Sequence, residues 1–523
     1  MIRSMTCAAL AALSLYAGIA HAQEAATVTA TATDDGVKVR YVLASPVRSF
    51  AFEDGDVVRE TWTVLTPGVT LIEGVVSGDA PFDVVEIGIQ PDTAERDRIY
   101  MGLSRIGSGH ILYGPALRLG GIPTSLALQP ADGEVGLPVR DAIAGYAYLG
   151  PQAQMVAAGV VRIVAGDNVA ADLTTPMSEA FKGALDFYGA WLGAALPYEP
   201  TLAISVDSPG PASFRGDVTD SGVISTRFRG DVWRGAEAYI LPFVWHEAFH
   251  LWNGHGVETP DADTDPWLHE GGPEYAATIG AVSIGAMTES EARDRLAQRL
   301  NGCRTVLAAQ DQAATRLRSG NGPYDCGTVI QWLADLELRK AGRGNVLTLW
   351  RDMLAEARRS DGYGVADFRA RLIADSAAAD LLDGPGEDRW TRLEARLAAL
   401  GVSLENRPGD GDLMTAALFH VAKRNCRGSY GFFNDPGALR LDGANCGVLS
   451  GEPLIATVED ADPQTEGRAM FAAVQARCAA NLLVRYRTRE GRVLEAVCDA
   501  PLSEPLVWSI TAAPPSGLPE AVP

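Results

Sequence analysis

The stretch VWHEAFHLWNGHGVETPDADTDPWLHEGGPEY, residues 244–275, decides how the rest of this chain is organised. His246 and His250 are four residues apart in a segment of helical character, so both imidazoles project from one helix face and can bind one metal ion. Glu247 lies beside them. It is badly placed to ligate with them but well placed to accept a proton from an attacking water. The pattern predicts a catalytic zinc site.

A catalytic zinc ion usually takes three protein ligands and leaves the fourth position to water, so the motif requires one more donor. Glu270 is the best candidate, because it follows His250 after nineteen intervening residues. Residues 271–273, Gly-Gly-Pro, predict a turn that opens a second helix. Glu274 is then one helical turn beyond Glu270, where it is expected to accept the outer N–H of His246 or His250. We expect one zinc ion per chain.

The histidines of the chain are concentrated in this window, which contains four of the seven. A pair of histidines four apart is also found on solvated helix faces, but the acidic residue in WLHEG favours a metal site. His255 and His269 are expected to line the cleft or to contact substrate. Neither is assigned a ligand role.

HEAFHLWN followed by WLHEGGPEY resembles the gluzincin metallopeptidases, above all the glycyl aminopeptidase family and the larger aminopeptidase N family. The resemblance implies that His246, His250 and Glu270 ligate zinc and that Glu247 is the general base. It also implies a thermolysin-like, mostly helical catalytic domain and a peptide or protein substrate.

Residues 323–327, Pro-Tyr-Asp-Cys-Gly, resemble the Tyr-x-Lys-Gly segment of the same families, in which the tyrosine donates a hydrogen bond to the oxyanion of the tetrahedral intermediate. The resemblance gives this catalytic role to Tyr324. Attack on a peptide carbonyl builds negative charge on oxygen, and a phenol can stabilise it. The alternative is a tyrosine that only packs on the next helix, and Cys326 stands where the families have lysine.

The segment before the zinc motif departs from the aminopeptidase pattern. Those families place a Gly-rich segment with an amine-binding glutamate here, and the nearest match, Ser221–Ser225, has no carboxylate. Asp217 or Asp220 are possible substitutes, but both also suit turns. Residues 222–228 alternate apolar and polar side chains, and the resemblance to gluzincins implies that they form an edge strand that pairs with extended substrate. The choice between aminopeptidase and endopeptidase therefore stays open.

The first 22 residues have the features of a secretory signal: Arg3, an apolar run and a small-residue cleavage site ending at Ala22. No later run approaches the 18 apolar residues of a membrane span. The sequence therefore predicts a secreted or periplasmic protein without a membrane anchor.

Six cysteines follow the predicted signal, and an even number in an oxidising compartment predicts disulfides. Their order suggests sequential pairing, although six cysteines allow 15 connectivities. A second metal site is the competing idea, and the lack of a CxxC spacing argues against it. The suggested pairs are Cys303 with Cys326, Cys426 with Cys446, and Cys478 with Cys498.

The net charge of −22 argues against a nucleic-acid partner, because nothing in the chain concentrates Lys and Arg enough to neutralise a phosphate backbone. The length of 523 residues predicts two to four domains. We expect an α+β multidomain chain with a β-rich N-terminal domain at 23–172 and the catalytic domain at 173–410. Alternating apolar and polar residues support the β-rich N-terminal domain, and an independent adhesive sandwich is the alternative for this domain. Thr175-Pro176 is expected to open the first catalytic helix, and Thr288 with Glu291 to form a capping box.

Residues 411–512 are expected to be β-rich with one helical segment near 469–480, and they resemble a divergent PDZ domain. Gly428–Phe432 resembles the carboxylate-binding loop, and LLVRYRTREGRVLEAV resembles the closing hairpin. Members of the glycyl aminopeptidase family carry a PDZ module at this end. The Pro-rich residues 513–523 are predicted to be disordered.

These features together predict an exported zinc peptidase. The alternative from another class is an inactive, peptide-binding envelope protein that retained the zinc fold. The intact general base favours the enzyme, since a purely structural zinc site usually closes its fourth position with a protein ligand. Substrate sequence and oligomeric state do not follow from the sequence.

Overall fold

The structure is a computed structural model that describes residues 25–518 except 56, 58, 93–99, 159–160, 194–195, 197, 208–212, 230–236, 308–316, 319, 361 and 436. The predicted signal peptide, 1–22, lies outside the described residues. None of the helices within the described part combines the length and apolar character needed to cross a membrane.

The chain divides into two compact units. Unit 1 contains Met1–Lys182 and Leu196–Glu237, and unit 2 contains Gly183–Ala195 and Ala238–Pro523. Strands dominate the first unit and helices the second, which confirms the prediction of a mixed α and β chain with a β-rich N-terminal region and a helical part.

Some strands of unit 1 alternate buried and exposed side chains, as half-buried strands require, and others are almost continuously buried. In chain order they are β1 Ala26–Thr33, β2 Gly36–Ala51, β3 Trp62–Val64, β4 Val69–Ile72, β5 Val75–Ile89, β6 Leu103–Ile106, β7 Gly109–Tyr113, β8 Thr124–Leu128, β9 Glu134–Leu137, β10 Tyr146–Pro151, β11 Met155–Ala158, β12 Val161–Ala165, β13 Thr201–Asp207, β14 Ser213–Val218 and β15 Val223–Arg229.

Over the described residues these strands form three sheets, with the orders β3-β5-β2-β1-β8 (β4 also pairs with β5), β6-β7-β10-β9 and β11-β12-β13-β15-β14. The first sheet is largely antiparallel, and its apolar face packs into a core that includes Val28, Val39, Tyr41 and Ile87. In the third sheet β13 runs parallel to β12 and to β15. β15 is almost continuously buried, as is typical of a strand in a sheet that is covered on both faces.

The expectation that residues 222–228 form an edge strand is wrong. β15 lies between β13 and β14, so both of its backbone edges are already hydrogen-bonded. Among the described strands, β14, Ser213–Val218, is at the edge of the sheet next to β15, and β11 is at the opposite edge. A period-two pattern identifies a strand but carries no information about its neighbours.

The first helix begins earlier than Thr175-Pro176. It spans Ala171–Leu192, with Pro176 inside it. Leu173, Met177 and Phe181 follow one another at four-residue spacing and are all buried, so the apolar face extends back beyond the proline. Burial of this face outweighs the hydrogen bond that proline cannot donate.

The helices are α1 Ala171–Leu192, α2 Glu237–Asn253, α3 Pro266–Ser283, α4 Glu289–Val306, α5 Gly322–Lys340, α6 Val346–Ala357, α7 Val365–Arg371, α8 Ala377–Asp383, α9 Arg389–Ala399, α10 Asp410–Asn425 and α11 Gly467–Ala479. The predicted capping box is confirmed at the start of α4. Thr288 accepts from the Glu291 backbone N–H, and the Glu291 carboxylate accepts from the Thr288 N–H.

The C-terminal part of unit 2 contains an antiparallel sheet and two helices around one core. Its strands follow the order β17-β18-β19-β20-β21, and the predicted closing hairpin is confirmed as β20 with β21. The strands of unit 2 are β16 Ser403–Asn406, β17 Gly431–Asp435, β18 Ala438–Asp442, β19 Leu454–Val458, β20 Val484–Thr488, β21 Val493–Ala496 and β22 Trp508–Ala512.

Helix α10 corrects the prediction of only one helical segment in this region. Leu413, Ala417 and Val421 recur at four-residue spacing and are buried, which is a helical apolar face. The carboxylate of Asp412 accepts from the Gly409 N–H and closes the first turn. The helical segment predicted near 469–480 is confirmed as α11.

The last strand returns to the helical part of unit 2. β22 pairs with β16, and the Asn301 side chain on α4 donates to the Trp508 carbonyl (2.8 Å) and accepts from the Trp508 N–H (2.9 Å). Residues 508–512 therefore pack against the helices, although the sequence grouped them with the C-terminal module.

The predicted disorder after Ala512 is wrong for 513–518. The Glu289 carboxylate accepts from the backbone N–H of Ser516 (2.9 Å) and of Gly517 (3.1 Å). These bonds satisfy backbone donors that composition alone assigns to solvent. Residues 519–523 lie outside the described part of the chain.

The suggested disulfide pairing is confirmed. The structure joins Cys303 to Cys326, Cys426 to Cys446, and Cys478 to Cys498. The first lies among the helices of unit 2, and the other two lie in the C-terminal core. Each closes a short loop and so restricts the unfolded chain.

His110, on β7, is a buried titratable group that the sequence did not single out. It is 2% exposed, and neither ring nitrogen has a hydrogen-bond partner among the described residues. Burial and then the charge of Arg105 lower the pKa of His110, Glu134 opposes them, and the resulting pKa is about 4. The folded protein therefore holds this imidazole neutral, with two unsatisfied nitrogens.

We expect His110→Leu to remove a pH-dependent loss of stability in unit 1. The unfolded imidazole takes up a proton near its ordinary pKa of about 6.5, whereas the folded one resists until about pH 4. The contribution of His110 to the free energy of unfolding is fully present above about pH 6.5. It falls by about 2 to 3 kcal/mol as the pH drops to about 4. The measurement is hydrogen exchange of the β6–β10 amides at pH 7 and pH 4.5, in both proteins.

The readout is the difference between the two proteins, because carboxylates titrate in the same range in both. A loss on acidification that is as large in His110→Leu as in the unsubstituted protein would contradict the assignment.

Candidate metal site

Helix α2 presents two faces with different chemistry. Trp245, Phe249 and Trp252 are buried, and the ring of Tyr188 meets them edge-on at centroid distances of 5.5, 5.1 and 5.9 Å. Such edge-to-face contacts fix the rotation of the helix about its axis. His246 follows Trp245 directly and is therefore directed to a different side.

Helix α3 carries the acidic part of the motif, and here the structure corrects the predicted turn. Gly271, Gly272 and Pro273 lie inside α3, which begins at Pro266. A Cβ at Gly271 would lie 2.3 Å from the Gly327 backbone of α5, and one at Gly272 would lie 2.5 Å from the Trp350 ring. The glycines are explained by close helix packing rather than by a turn.

Three donor atoms converge between α2 and α3. His246 Nε2 lies 3.1 Å from His250 Nε2 and 3.2 Å from Glu270 Oε2, and His250 Nε2 lies 3.5 Å from the same oxygen. Zinc bonds of about 2.0 to 2.1 Å place the corners of a tetrahedron about 3.3 Å apart. The three distances match the spacing of three tetrahedral ligands around one ion, so these residues form a candidate metal site.

The outer nitrogens of both imidazoles are fixed by hydrogen bonds. His246 Nδ1 donates to Glu274 Oε2 at 3.0 Å. His250 Nδ1 donates to Asn253 Oδ1 at 3.0 Å, and the Asn253 amide nitrogen donates to the His269 carbonyl at 2.9 Å. With the Nδ1 proton used in each ring, both Nε2 lone pairs point to the same place, which suits a cation.

Glu274 is 5% exposed, yet it carries charge. Burial opposes its ionisation, but Arg295, the bond from His246 and Arg299 outweigh burial and hold the pKa of its carboxyl well below the ordinary value. Both guanidinium groups contact Glu274 Oε1, while Oε2 serves His246. The sequence predicted that Glu274 orients a histidine, and the structure places it on His246.

Glu247 and Tyr324 both lie at this site. Glu247 is buried on α2, next to His246. Tyr324, in the first turn of α5, has its ring centroid 6.0 Å from that of His246 and is 38% exposed. Burial raises the pKa of Tyr324, and the carboxylates of Glu270 and Glu247 raise it further, so its hydroxyl stays protonated as a donor.

His269 lies against the site without ligating. Its ring centroid is 4.7 Å from that of His250, and its Nδ1 has no hydrogen-bond partner among the described residues. Burial, then His250, lowers the pKa of His269 to about 3, so the ring is neutral.

The two candidate substitutes for the amine-binding glutamate lie in unit 1. The Asp217 carboxylate accepts from Tyr146 Oη at 3.2 Å and pairs with Arg215 (3.4 Å) and Arg227 (3.7 Å). Asp220 lies in the turn between β14 and β15. The contacts of Asp217 favour a structural role for that residue, and the position of Asp220 matches the turn predicted as its alternative role.

Three residues at this site were missed by sequence reasoning. Asn253 is three residues after His250 on the same helix, and its spacing alone makes it a neighbour of that histidine. Arg295 and Arg299 are on α4, twenty or more residues beyond Glu274, and no spacing rule in the sequence connects them to it.

The sequence matches no model of a known protein family and no curated protein. Among solved structures, the chain is similar to an aminopeptidase N family protein from Idiomarina loihiensis, with a TM-score of 0.64 and 14% identity over 94% of this chain and 98% of that chain. At such low identity the similarity establishes the fold and no more.

Two other solved structures are more weakly similar. A variant of a two-domain M1 zinc metallopeptidase bound to L-tryptophan has a TM-score of 0.39 and 13% identity over 69% of this chain and 94% of that one. Legionella pneumophila aminopeptidase A in complex with aspartic acid has a TM-score of 0.44 and 12% identity over 74% of this chain and 51% of that one. Scores below 0.5 are too low to establish a shared fold.

Proposed function

We propose that this chain is an exported, zinc-dependent peptidase of the gluzincin type. The observation that carries the proposal is the convergence of His246 Nε2, His250 Nε2 and Glu270 Oε2 at 3.1 to 3.5 Å from one another, with Glu247 and Tyr324 beside them. The aminopeptidase N type of fold supports it.

His246, His250 and Glu270 would hold the zinc ion, which when bound acts as a Lewis acid toward water and toward the substrate carbonyl. Two neutral imidazoles and one carboxylate are the ligand set of many catalytic zinc sites. Glu274 and Asn253 orient the two imidazoles, because each accepts the proton on Nδ1.

Glu247 and Tyr324 carry the proton and charge chemistry of the reaction. The Glu247 carboxylate accepts a proton from the attacking water and then delivers it to the nitrogen of the leaving amine. The Tyr324 hydroxyl donates a hydrogen bond to the carbonyl oxygen as negative charge develops on it. The raised pKa of Tyr324 suits this role, since only a protonated phenol can donate.

The substrate is a peptide or protein, and aminopeptidase and endopeptidase activity remain the two alternatives. The structural neighbour from Idiomarina loihiensis belongs to an aminopeptidase family. Asp217, by contrast, which could substitute for the amine-binding glutamate, is already paired with Arg215 and Arg227.

The test is hydrolysis of a peptide library by the purified mature chain, with each sequence supplied as a free and as an N-acetylated peptide. We expect cleavage that a chelator stops and added zinc restores. Cleavage of free peptides alone indicates an aminopeptidase, and cleavage of both indicates an endopeptidase. A zinc-loaded chain that cleaves neither would favour the inactive peptide-binding alternative.

Tyr324→Phe is expected to lower kcat by about 100- to 1,000-fold, because an oxyanion donor acts more strongly in the transition state than in the bound substrate. KM and zinc content should change little, since the hydroxyl neither binds the metal nor positions the ground state. The measurement is kcat, KM and melting temperature on one preparation.

Tyr188→Phe is the matched control, because its hydroxyl donates to the Trp245 carbonyl within the core and faces no reacting group. That variant should lose stability and keep turnover. Normal kcat in Tyr324→Phe would remove this tyrosine from the mechanism.

We infer that the C-terminal module, predicted at 411–512, is PDZ-like and binds peptides by strand addition. β17 is an edge strand, and Phe419 on α10 packs against Phe432 (5.4 Å) and Tyr430 (5.9 Å) beside it. An edge strand next to an apolar helix face suits an added peptide strand.

The test is calorimetry with peptides that have either a free or an amidated C terminus. A PDZ-like module should bind the free form more tightly, and equal affinities would contradict a carboxylate-binding loop at Gly428–Phe432.

A further inference from the structure

One face of α4 presents three side chains at four-residue spacing: Arg295, Arg299 and Cys303. Residues four apart lie above one another on a helix, so the three form one row. Each contacts α3 or α5, which carry Glu270 and Tyr324. The two arginines differ in one respect that the sequence does not reveal.

Arg295 contacts one carboxylate of the site. Its Nη2 binds Glu274 Oε1, and no other acidic partner of Arg295 exists among the described residues. Arg299 binds the same oxygen through Nη2, but its Nη1 donates to Asp325 Oδ1 at 2.8 Å. Arg299 therefore bridges α3 and α5.

Both carboxylates that Arg299 bridges are adjacent to groups of the proposed mechanism. Glu274 accepts from His246 Nδ1 through its other oxygen. Asp325 follows Tyr324 directly in the first turn of α5. One planar guanidinium thus joins the partner of a proposed zinc ligand to the neighbour of the proposed oxyanion donor.

The backbone of α4 leaves space for the Asp325 carboxylate that Arg299 binds. A Cβ at Gly302 would lie 2.2 Å from Asp325 Oδ2, so only glycine leaves room for that carboxylate against α4. The disulfide between Cys303 and Cys326 joins the same two helices one residue further along. The first turn of α5 is fastened to α4 both ionically and covalently.

We propose that Arg299 is a positioning residue that sets Tyr324 relative to the zinc ligand His246, by holding Asp325 and Glu274 with one guanidinium. This inference rests on the proposed function. Arginine is suited to the task because its fork has fixed geometry and bonds two acceptors at once, whereas a lysine ammonium is a compact charge on a flexible stem.

The experiment uses Arg299→Lys and Asp325→Asn, each in the unsubstituted chain and in the Tyr324→Phe background. Arg295→Lys is the matched control, because it alters the contact to Glu274 and leaves Asp325 untouched. All three changes keep the size of the side chain close to the original. The readouts are kcat and KM at saturating zinc, zinc affinity by competition with a chromophoric chelator, and melting temperature.

We expect Arg299→Lys and Asp325→Asn each to lower kcat by about tenfold, with KM little changed. Both effects should disappear in the Tyr324→Phe background, since a hydroxyl that is absent cannot be misplaced. The kcat effect of Arg295→Lys should instead be the same in both backgrounds. Zinc affinity should fall by about tenfold in the two arginine variants and stay unchanged in Asp325→Asn.

Effects of Arg299→Lys and Asp325→Asn on kcat that multiply with that of Tyr324→Phe would overturn the inference, because the two residues would then act independently of Tyr324. If the unsubstituted chain hydrolyses no peptide, the proposed function fails. The zinc affinity of Arg299→Lys then still tests whether Arg299 acts on the zinc ligand through Glu274. An Arg299→Lys variant that binds zinc as tightly as the unsubstituted chain would overturn it there as well.

Discussion

Glu247→Gln is expected to lower kcat by about 100- to 10,000-fold while the protein keeps its zinc, because the amide has nearly the shape of the carboxylate but cannot accept the proton of water. The structure supports the separation of the two effects. Glu247 is next to His246 on α2, whereas the three convergent donor atoms belong to His246, His250 and Glu270. The measurement is kcat together with elemental analysis of the same sample.

Glu258→Gln provides the matched control, because this glutamate is exposed, lies in the same segment and is no part of the proposed machinery. Its turnover should equal that of the unsubstituted chain. A Glu247→Gln variant that retained most of its activity would exclude Glu247 as the general base.

Glu270→Ala should deplete the zinc, from about one ion per chain to almost none, since two imidazoles alone complete too little of a tetrahedral site. We expect the affinity to fall by more than about 100-fold, beyond the 10- to 100-fold typical of losing a residue that only orients a ligand. Elemental analysis after dialysis against a weak chelator measures it, and turnover should fall in parallel.

His269→Gln is the comparison for this variant. His269 precedes Glu270 in α3 and its ring lies 4.7 Å from that of His250, yet it has no ligand role in our assignment. That variant should keep its zinc. Full zinc occupancy in Glu270→Ala, or depletion in His269→Gln, would show that the third ligand is wrongly assigned.

Helical periodicity explains why so much of the site was predictable. His246 and His250 are four apart on α2, and Glu270 and Glu274 are four apart on α3, so each pair must share a helix face. The structure brings His246, His250 and Glu270 within hydrogen-bond distance, as the motif predicts.

The errors in the sequence analysis have a common cause, which is tertiary packing. Gly271 and Gly272 suggested a turn, but they are small because Gly327 and the Trp350 ring approach α3 closely. Residues 513–518 looked disordered by composition, but the Glu289 carboxylate holds their backbone. β15 looked like an edge strand, but two other strands flank it.

Spacing along the chain was sufficient to predict the shared helix faces of the metal motif, the capping box at Thr288 and the β-rich N-terminal region. The order of the cysteines suggested the sequential disulfides, but the folded chain selects them from 15 connectivities. The tertiary structure was needed to identify the arginine side chains that contact the acidic residues of the site. Arg295 and Arg299 reach Glu274 from another helix, and Arg299 also reaches Asp325. Contacts of this kind depend on how helices cross, and no periodicity within a single helix encodes the identity of its neighbour.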